Sequence, residues 1–355
     1  MPQASSPTAP PAPSHAVDAA VRDAEWLAHR YDPEHDAVHL LPVSREQHRQ
    51  ATFLTEENLP TGVEPMIVSR AHASAAHPAP IHFVFHSAFC CSTLIARAFD
   101  LPGRSMALKE PVILNDIIGW RRRGGAGADM AEVLDDTLHL LARPFGPGES
   151  IIVKPSNAIN ALIAPILTLR PEAHALMLHA PLRAYLASIA RKGLEGRLWV
   201  RTLLLGLLDD KLVDLGFSPR DHLGQTDLQV AAVGWLAQHA LFGKIADRFG
   251  AARIRSLDSA ALMADRASAM AALGQHFNLP LSAVELTGIV SGPAFSRHSK
   301  SGAAFGAAER AEEEQAGVAL HADEIEKVIV WTQAVAQAAG VSLDAPNPLI
   351  EYPAA

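Results

Sequence analysis

Excess positive charge is missing from this sequence, and so are separated cysteines, apolar runs of membrane length and the usual metal-binding spacings. The 355 residues carry 30 Lys and Arg against 38 Asp and Glu, a formal charge of −8. That balance argues against coating nucleic acid or an anionic membrane, tasks that need a broad positive field. No nucleic-acid or membrane partner is expected, and any anion site must be a local pocket. The 2 cysteines are the neighbours Cys90 and Cys91; the peptide between adjacent cysteines strains a disulfide, so none is expected. The most apolar windows, residues 158–169 and 203–208, fall well short of the roughly 20 residues that span a bilayer. The first residues are rich in Pro, Ala and Ser and lack a basic start followed by an apolar run, so no secretory leader is read and a cytoplasmic location is expected. Despite 17 histidines, no His-Glu-x-x-His or Cys-x-x-Cys spacing occurs, and no metal is expected. No internal repeat is present.

What is there is alternation. Residues 81–85 are β-branched and aromatic, follow a Pro-containing loop, and read as the first strand of a buried sheet. Further strands are expected at 105–108, 150–153, 174–178 and 253–257. Helical pattern separates them, at 130–142, 158–169, 182–192, 198–211, 228–248 and 259–276. Such alternation implies a mostly parallel sheet with helices on both faces. Residues 288–308 read as loop, and a last helix is expected over 322–339. The chain divides into a disordered tail over 1–17, an N-terminal extension over 18–80 with Trp26, Leu27, Leu40, Leu41 and Phe53 as buried points, an α/β domain over 81–310, and a C-terminal helix and tail over 311–355 packed on it.

The junction after the first strand carries the chemistry. His86-Ser87-Ala88-Phe89-Cys90-Cys91 is a stretch of mostly small residues, and Ser92-Thr93 then opens an apolar helix. A helix start leaves backbone N–H groups without intrahelical partners, and with the macrodipole they favour a phosphate. Ser92 and Thr93 add hydroxyls. Strand ends on the carboxyl side of a parallel sheet line the ligand crevice, which draws in His86, Lys109-Glu110-Pro111 and Lys154-Pro155-Ser156-Asn157.

This loop resembles the first phosphosulfate-binding loop of the sulfotransferase family, which ends in Gly followed by two hydroxyl residues. The resemblance covers about residues 80–310. It implies an α/β, P-loop nucleoside-triphosphate-hydrolase-like three-layer fold and 3′-phosphoadenosine-5′-phosphosulfate as co-substrate. Ser87, Cys90, Cys91, Ser92 and Thr93 would then form the loop around the 5′-phosphosulfate. Two positions depart from the family: Phe89 stands where a Lys or Arg is usual, and Cys91 where Gly is usual. The missing loop cation neutralises the leaving group in the family, so Lys109 or Lys154 is expected to replace it, with His86 on the same rim. Glu110 resembles the base that some carbohydrate sulfotransferases place after this strand; a salt-bridged turn is the plainer alternative.

A second family element, a strand followed by Arg-x-Pro and a helical Ser that hold the 3′-phosphate, is matched in part by His179-Ala180-Pro181-Leu182-Arg183 and Ser188. His179 or Arg183 would supply the cation there, with Arg191 or Lys192 in support. A third, the late basic loop over the 3′-phosphate, resembles the segment holding Arg297, His298 and Lys300.

Arg121-Arg122-Arg123 reads as a solvated turn. Residues 193–201, with Trp199 between Arg197 and Arg201, read either as an acceptor wall or as an amphipathic core helix. Three functions follow. The first is sulfuryl transfer to a small-molecule or carbohydrate acceptor. The second is an ATP- or GTP-dependent kinase, disfavoured by the missing Gly-x-x-x-x-Gly-Lys-Ser/Thr. The third is a nucleotide-binding relative without activity. The sequence encodes neither the acceptor nor the oligomeric state.

Overall fold

The computed structural model of the chain describes residues 14–73, 78–125, 127–296 and 307–351. Five strands form one parallel sheet: β4 (Ile81–His86), β5 (Ser105–Lys109), β6 (Ser150–Lys154), β7 (Ala175–His179) and β8 (Ile254–Asp258), in the order β5-β6-β4-β7-β8. Each strand falls within a residue or so of its sequence expectation. The reason is burial on both faces, which makes each strand a short continuous apolar run. Along β4, Ile81, Phe83 and Phe85 enter one core while Val84 enters the other.

On one face pack helices Ile113–Arg122, Gly127–Leu141 and Ile163–Leu169. On the other lie α1 (Ser92–Ala98), α2 (Leu182–Arg191), α3 (Gly193–Asp209), α4 (Asp227–Phe249) and α5 (Ala307–Ala339). The chain runs from central β4 to β5 and β6 on one side, and later to β7 and β8 on the other. β4 is therefore the switch point, and a crevice is expected outside its carboxyl end.

The segment before the parallel sheet forms three antiparallel strands, β1 (Trp26–Asp32), β2 (Ala37–Pro42) and β3 (Met66–Ser69). Leu27, Val38 and Leu40 enter the same core as Phe83 and Ile151. Arg30 fixes the docking with two bonds of 2.7 Å to Asp116. Buried Arg143 donates to the carbonyls of Ala20, Val21 and Asp23 at 2.9–3.1 Å.

Five sequence expectations are corrected. The tail is helical from Ser14, in helix Ser14–Arg22. The helix expected over 259–276 is two, because Asp265 leaves helical backbone and caps Ser268 N. Residues 288–296 are not loop: helices Ala283–Ser291 and Pro293–Ser296 occupy them, the first started by a Ser282–Glu285 capping box. Arg121 and Arg122 do not form a solvated turn but end a helix, with Arg122 2.7 Å from buried Asp210. α5 starts before the expected residue 322, with a kink at His321. Among the described residues no helix is long and apolar enough to cross a membrane.

Burial also sets a pH limit. Desolvation pushes His48 down to about 4, His82 to about 3 and His276 to about 4. Between pH 6.5 and 4 the unfolded chain binds protons that the native state refuses, so stability rises with pH across that window and falls on acidification. Three such groups give a slope of up to about 4 kcal/mol per pH unit. Urea unfolding at pH 7.5, 6 and 5 checks this; unchanged stability across the series would contradict it.

Candidate functional site

Outside the carboxyl end of β4 lies a cavity of about 260 Å³. Its floor is the turn from β4 into α1, lined by Ala88, Phe89, Cys90, Cys91, Ser92 and Thr93. The turn is made without glycine. Ala88 (φ 73°), Phe89 (φ 51°) and Cys91 (φ 65°) all lie in the left-handed region, and so does Glu110 (φ 54°) across the cavity. Glu110 also precedes Pro111, a position whose backbone is already restricted. The described residues include 8 non-glycine positions with positive φ, and these 4 line one cavity. Strain of this kind persists only where surrounding structure over-determines it, and it clusters at functional sites.

His86 supplies that determination. Its Nδ1 accepts from Ala88 N at 3.0 Å, and its Nε2 donates to Pro155 O at 3.0 Å. Accepting at one nitrogen and donating at the other fixes a neutral tautomer. His86 lines the cavity with both ring nitrogens engaged. Ser87 N donates to Leu178 O at 3.0 Å, and Cys90 Sγ to the same carbonyl at 3.5 Å. Ser87 is fully buried beneath the loop. Cys90 is buried too, and burial pushes its thiol up to about 12, which leaves it a small apolar packing group.

Cys91 explains one departure from the family pattern. It is the N-cap of α1 with φ 65° and ψ 22°, a conformation that suits glycine. Phe89 explains the other. Its ring packs edge-on against Trp199 at 5.2 Å and Tyr185 at 6.0 Å, so the position serves apolar packing.

A lysine reaches the cavity from the next strand. Lys154, at the end of β6, is almost fully buried, forms an ion pair with Glu110, and lies 5.1 Å from the centre of the Phe53 ring. Glu110 N donates to Lys154 O at 2.7 Å, which ties the ends of β5 and β6 together. Lys192 and Glu195, 3.1 Å apart, line the opposite side with Trp199. Asn157 and Ser156 complete the polar wall.

Lys109 is elsewhere. Its Nζ donates to His48 O at 2.7 Å and Arg49 O at 2.9 Å, and burial pushes it down to about 8. It anchors the N-terminal segment to β5 and does not line the cavity. The second family element also departs from expectation. Arg183 is ion-paired to Glu326 on α5, and Ser188 Oγ donates to Ala184 O at 2.8 Å. His179 sits at the end of β7, 3.5 Å from Asp258, and burial lowers its pKa despite that carboxylate. Arg297, His298 and Lys300 lie outside the described residues.

Phe53 is a cavity residue that the sequence did not single out for this site, Lys192 was read only as support at the second family element, and Glu195 lies within the 193–201 segment read as a wall. Phe53 arrives from the N-terminal segment, about a hundred positions from Lys154, with no local signal. The Lys192–Glu195 spacing was readable as a helical ion pair. Trp199 lines the cavity, whereas Arg197 and Arg201 are both tied to Asp227, at 3.4 and 2.7 Å.

No family model and no curated protein matches the chain. Among solved structures it is similar to a sulfotransferase domain from the curacin biosynthetic pathway, with 13% identity over 76% of this chain and 99% of that one and a TM-score of 0.42. It is similar to the sulfotransferase domain of the Synechococcus PCC 7002 olefin synthase, with 11% identity over 64% and 82% and a TM-score of 0.37. It is also similar to sulfotransferase STF9 from Mycobacterium avium, with 14% identity over 70% and 77% and a TM-score of 0.40. What the cavity can do rests on this chain's own residues.

Replacing Cys91 by Gly removes a left-handed side-chain residue whose cost is about 1 kcal/mol. Cys91→Gly is expected to raise denaturant stability by up to that amount. A loss of the same size would mean that the Cys91 side chain contributes more through packing than its backbone costs.

Proposed function

We propose that the chain transfers a sulfuryl group from 3′-phosphoadenosine-5′-phosphosulfate to a hydroxyl or amine of a small-molecule or carbohydrate acceptor. The observation that carries this reading is the Lys154–Glu110 pair in one cavity with the Ser92–Thr93 turn, at the switch point of the sheet. The cavity suits the phosphosulfate end of the nucleotide: a backbone turn opening a helix, two hydroxyls, and two lysines.

The roles follow from charge. Ser92, Thr93 and the first turn of α1 hold the 5′-phosphate. Lys154 neutralises charge on the bridging oxygen as the bond from sulfur to that oxygen breaks and the nucleotide leaves as adenosine 3′,5′-bisphosphate. Glu110 accepts the acceptor's proton as the acceptor's oxygen or nitrogen bonds to sulfur. Trp199 and Phe53 offer flat apolar faces to an acceptor ring and exclude water from the pair. Positioning and charge neutralisation are sufficient for in-line transfer of this kind.

A second reading is nucleotide binding without turnover, favoured by Phe89 in place of the family's loop cation. Mutant kinetics separate the two. Lys154→Met is expected to lower kcat by about 10²–10³-fold, and Glu110→Gln by about 10²–10⁴-fold, in an assay of adenosine 3′,5′-bisphosphate release across a panel of hydroxyl and amine acceptors. Lys109→Met is expected to lower stability and leave kcat largely unchanged. A silent Lys154→Met beside a damaging Lys109→Met would reverse the assignment. Bisphosphate binding by a wild-type protein that never turns over would leave the second reading.

A further inference from the structure

A second and larger cavity, about 820 Å³, opens at the carboxyl ends of β7 and β8. It shares no lining residue with the first. Its walls are mainly apolar, with Trp235 from α4, Ile329 from α5, Leu182 from α2, and Leu343 and Ile350 from the C-terminal segment. That segment is fixed to the sheet edge: Ser256 N donates to Asn347 O at 3.0 Å, and Leu349 N to Ser256 O at 2.7 Å. The cavity is therefore built by a held strand-like segment closing the β8 edge. Its size lies within the range of small-molecule sites, roughly 300–1,000 Å³.

Its charge is of one sign. The carboxylates of Asp258, Asp344 and Glu351 line it, and among the described lining residues there is no lysine or arginine. Arg255 lies close to the rim but donates to Pro348 O at 2.7 Å. His179, whose side chain is 9% exposed, has an Nδ1 without a hydrogen-bond partner, and its burial favours the neutral ring. Burial thus works against a positive charge on the ring beside Asp258 at 3.5 Å. One Asp258 oxygen accepts from Ala260 N at 2.6 Å, and the side chain remains partly exposed.

An anion entering here would meet carboxylates and, among the described lining residues, no lysine or arginine, and a neutral apolar molecule would bring Asp258 no counter-charge. An ammonium or guanidinium gives that carboxylate a charge-assisted bond. The indole of Trp235 is a surface that attracts cations. We propose that this cavity binds an organic cation: a primary amine or guanidinium on an apolar body, with its charge against Asp258 and its body against Trp235 and the aliphatic walls. The site does not rest on the sulfuryl-transfer reading, and its test uses no turnover.

The test is isothermal titration of the full chain with three probes of equal chain length, n-octylamine, n-octanol and n-octanoate, each below its micelle concentration. Octylamine is expected to bind about tenfold or more tightly than octanol, with octanoate the weakest. Asp258→Asn, which keeps the helix cap because Asn also accepts from backbone N–H, is expected to remove the preference for the amine and to leave octanol binding in place. Asp344→Asn, at an exposed position, gives a smaller loss of the same kind and serves if the first variant fails to fold. Ala345→Trp, on the C-terminal segment, is expected to abolish binding of both probes by filling the cavity. Octanoate binding as tightly as octylamine would overturn the proposal. So would an amine affinity that survives both Asp258→Asn and Ala345→Trp.

Discussion

A turn made without glycine is the constraint on which the first cavity depends. Ala88, Phe89 and Cys91 adopt left-handed backbone between β4 and α1, and Glu110 does the same after β5. Each such residue costs about 1–3 kcal/mol, and rigid surroundings must offset that cost. They do so by exact tautomer fixing at His86, by the Ser87 and Cys90 bonds to Leu178 O, and by core packing of Phe89 on Tyr185 and Trp199. The outcome is a floor whose hydroxyls and helix start face the same space as the Lys154–Glu110 pair.

Two lysines at neighbouring strand ends illustrate how that space acquires its charge. Lys109 and Lys154 are register partners in β5 and β6. Lys109 is used for stability, its ammonium held by the carbonyls of residues 48 and 49 under the N-terminal segment. Lys154 is left to the cavity, with Glu110 as its counter-charge and Phe53 beside it. The N-terminal segment thus acts on both, covering one lysine and supplying an aromatic wall to the other. At the far edge of the sheet the sign reverses, and Asp258, Asp344 and Glu351 gather around the second cavity.

Much of the fold was legible because buried parallel strands are short apolar runs with abrupt ends, and all five were readable from residues 81–258. Boundaries failed where a single capping residue decides them, as at Asp265 and Ser282. The loop itself was legible from its small residues and Ser92–Thr93. Which strand-end lysine serves the cavity was not, because the choice depends on carbonyls of residues 48 and 49, brought from far away in the chain. The Asp258 carboxylate beside His179 was hidden for a similar reason, because only the β7–β8 pairing brings it alongside. Phe53 was read only as a buried point of the N-terminal extension, since its place in the cavity exists only once the antiparallel strands dock.

The central claim is that the cavity above β4 holds the phosphate end of a phosphosulfate nucleotide. The most direct measurement is isothermal titration of the full chain with adenosine 3′,5′-bisphosphate, in parallel with ATP and magnesium. Micromolar binding of the bisphosphate, with none for ATP and magnesium, is the result this account requires. Binding of ATP with magnesium alone would make the cavity a kinase site and contradict it.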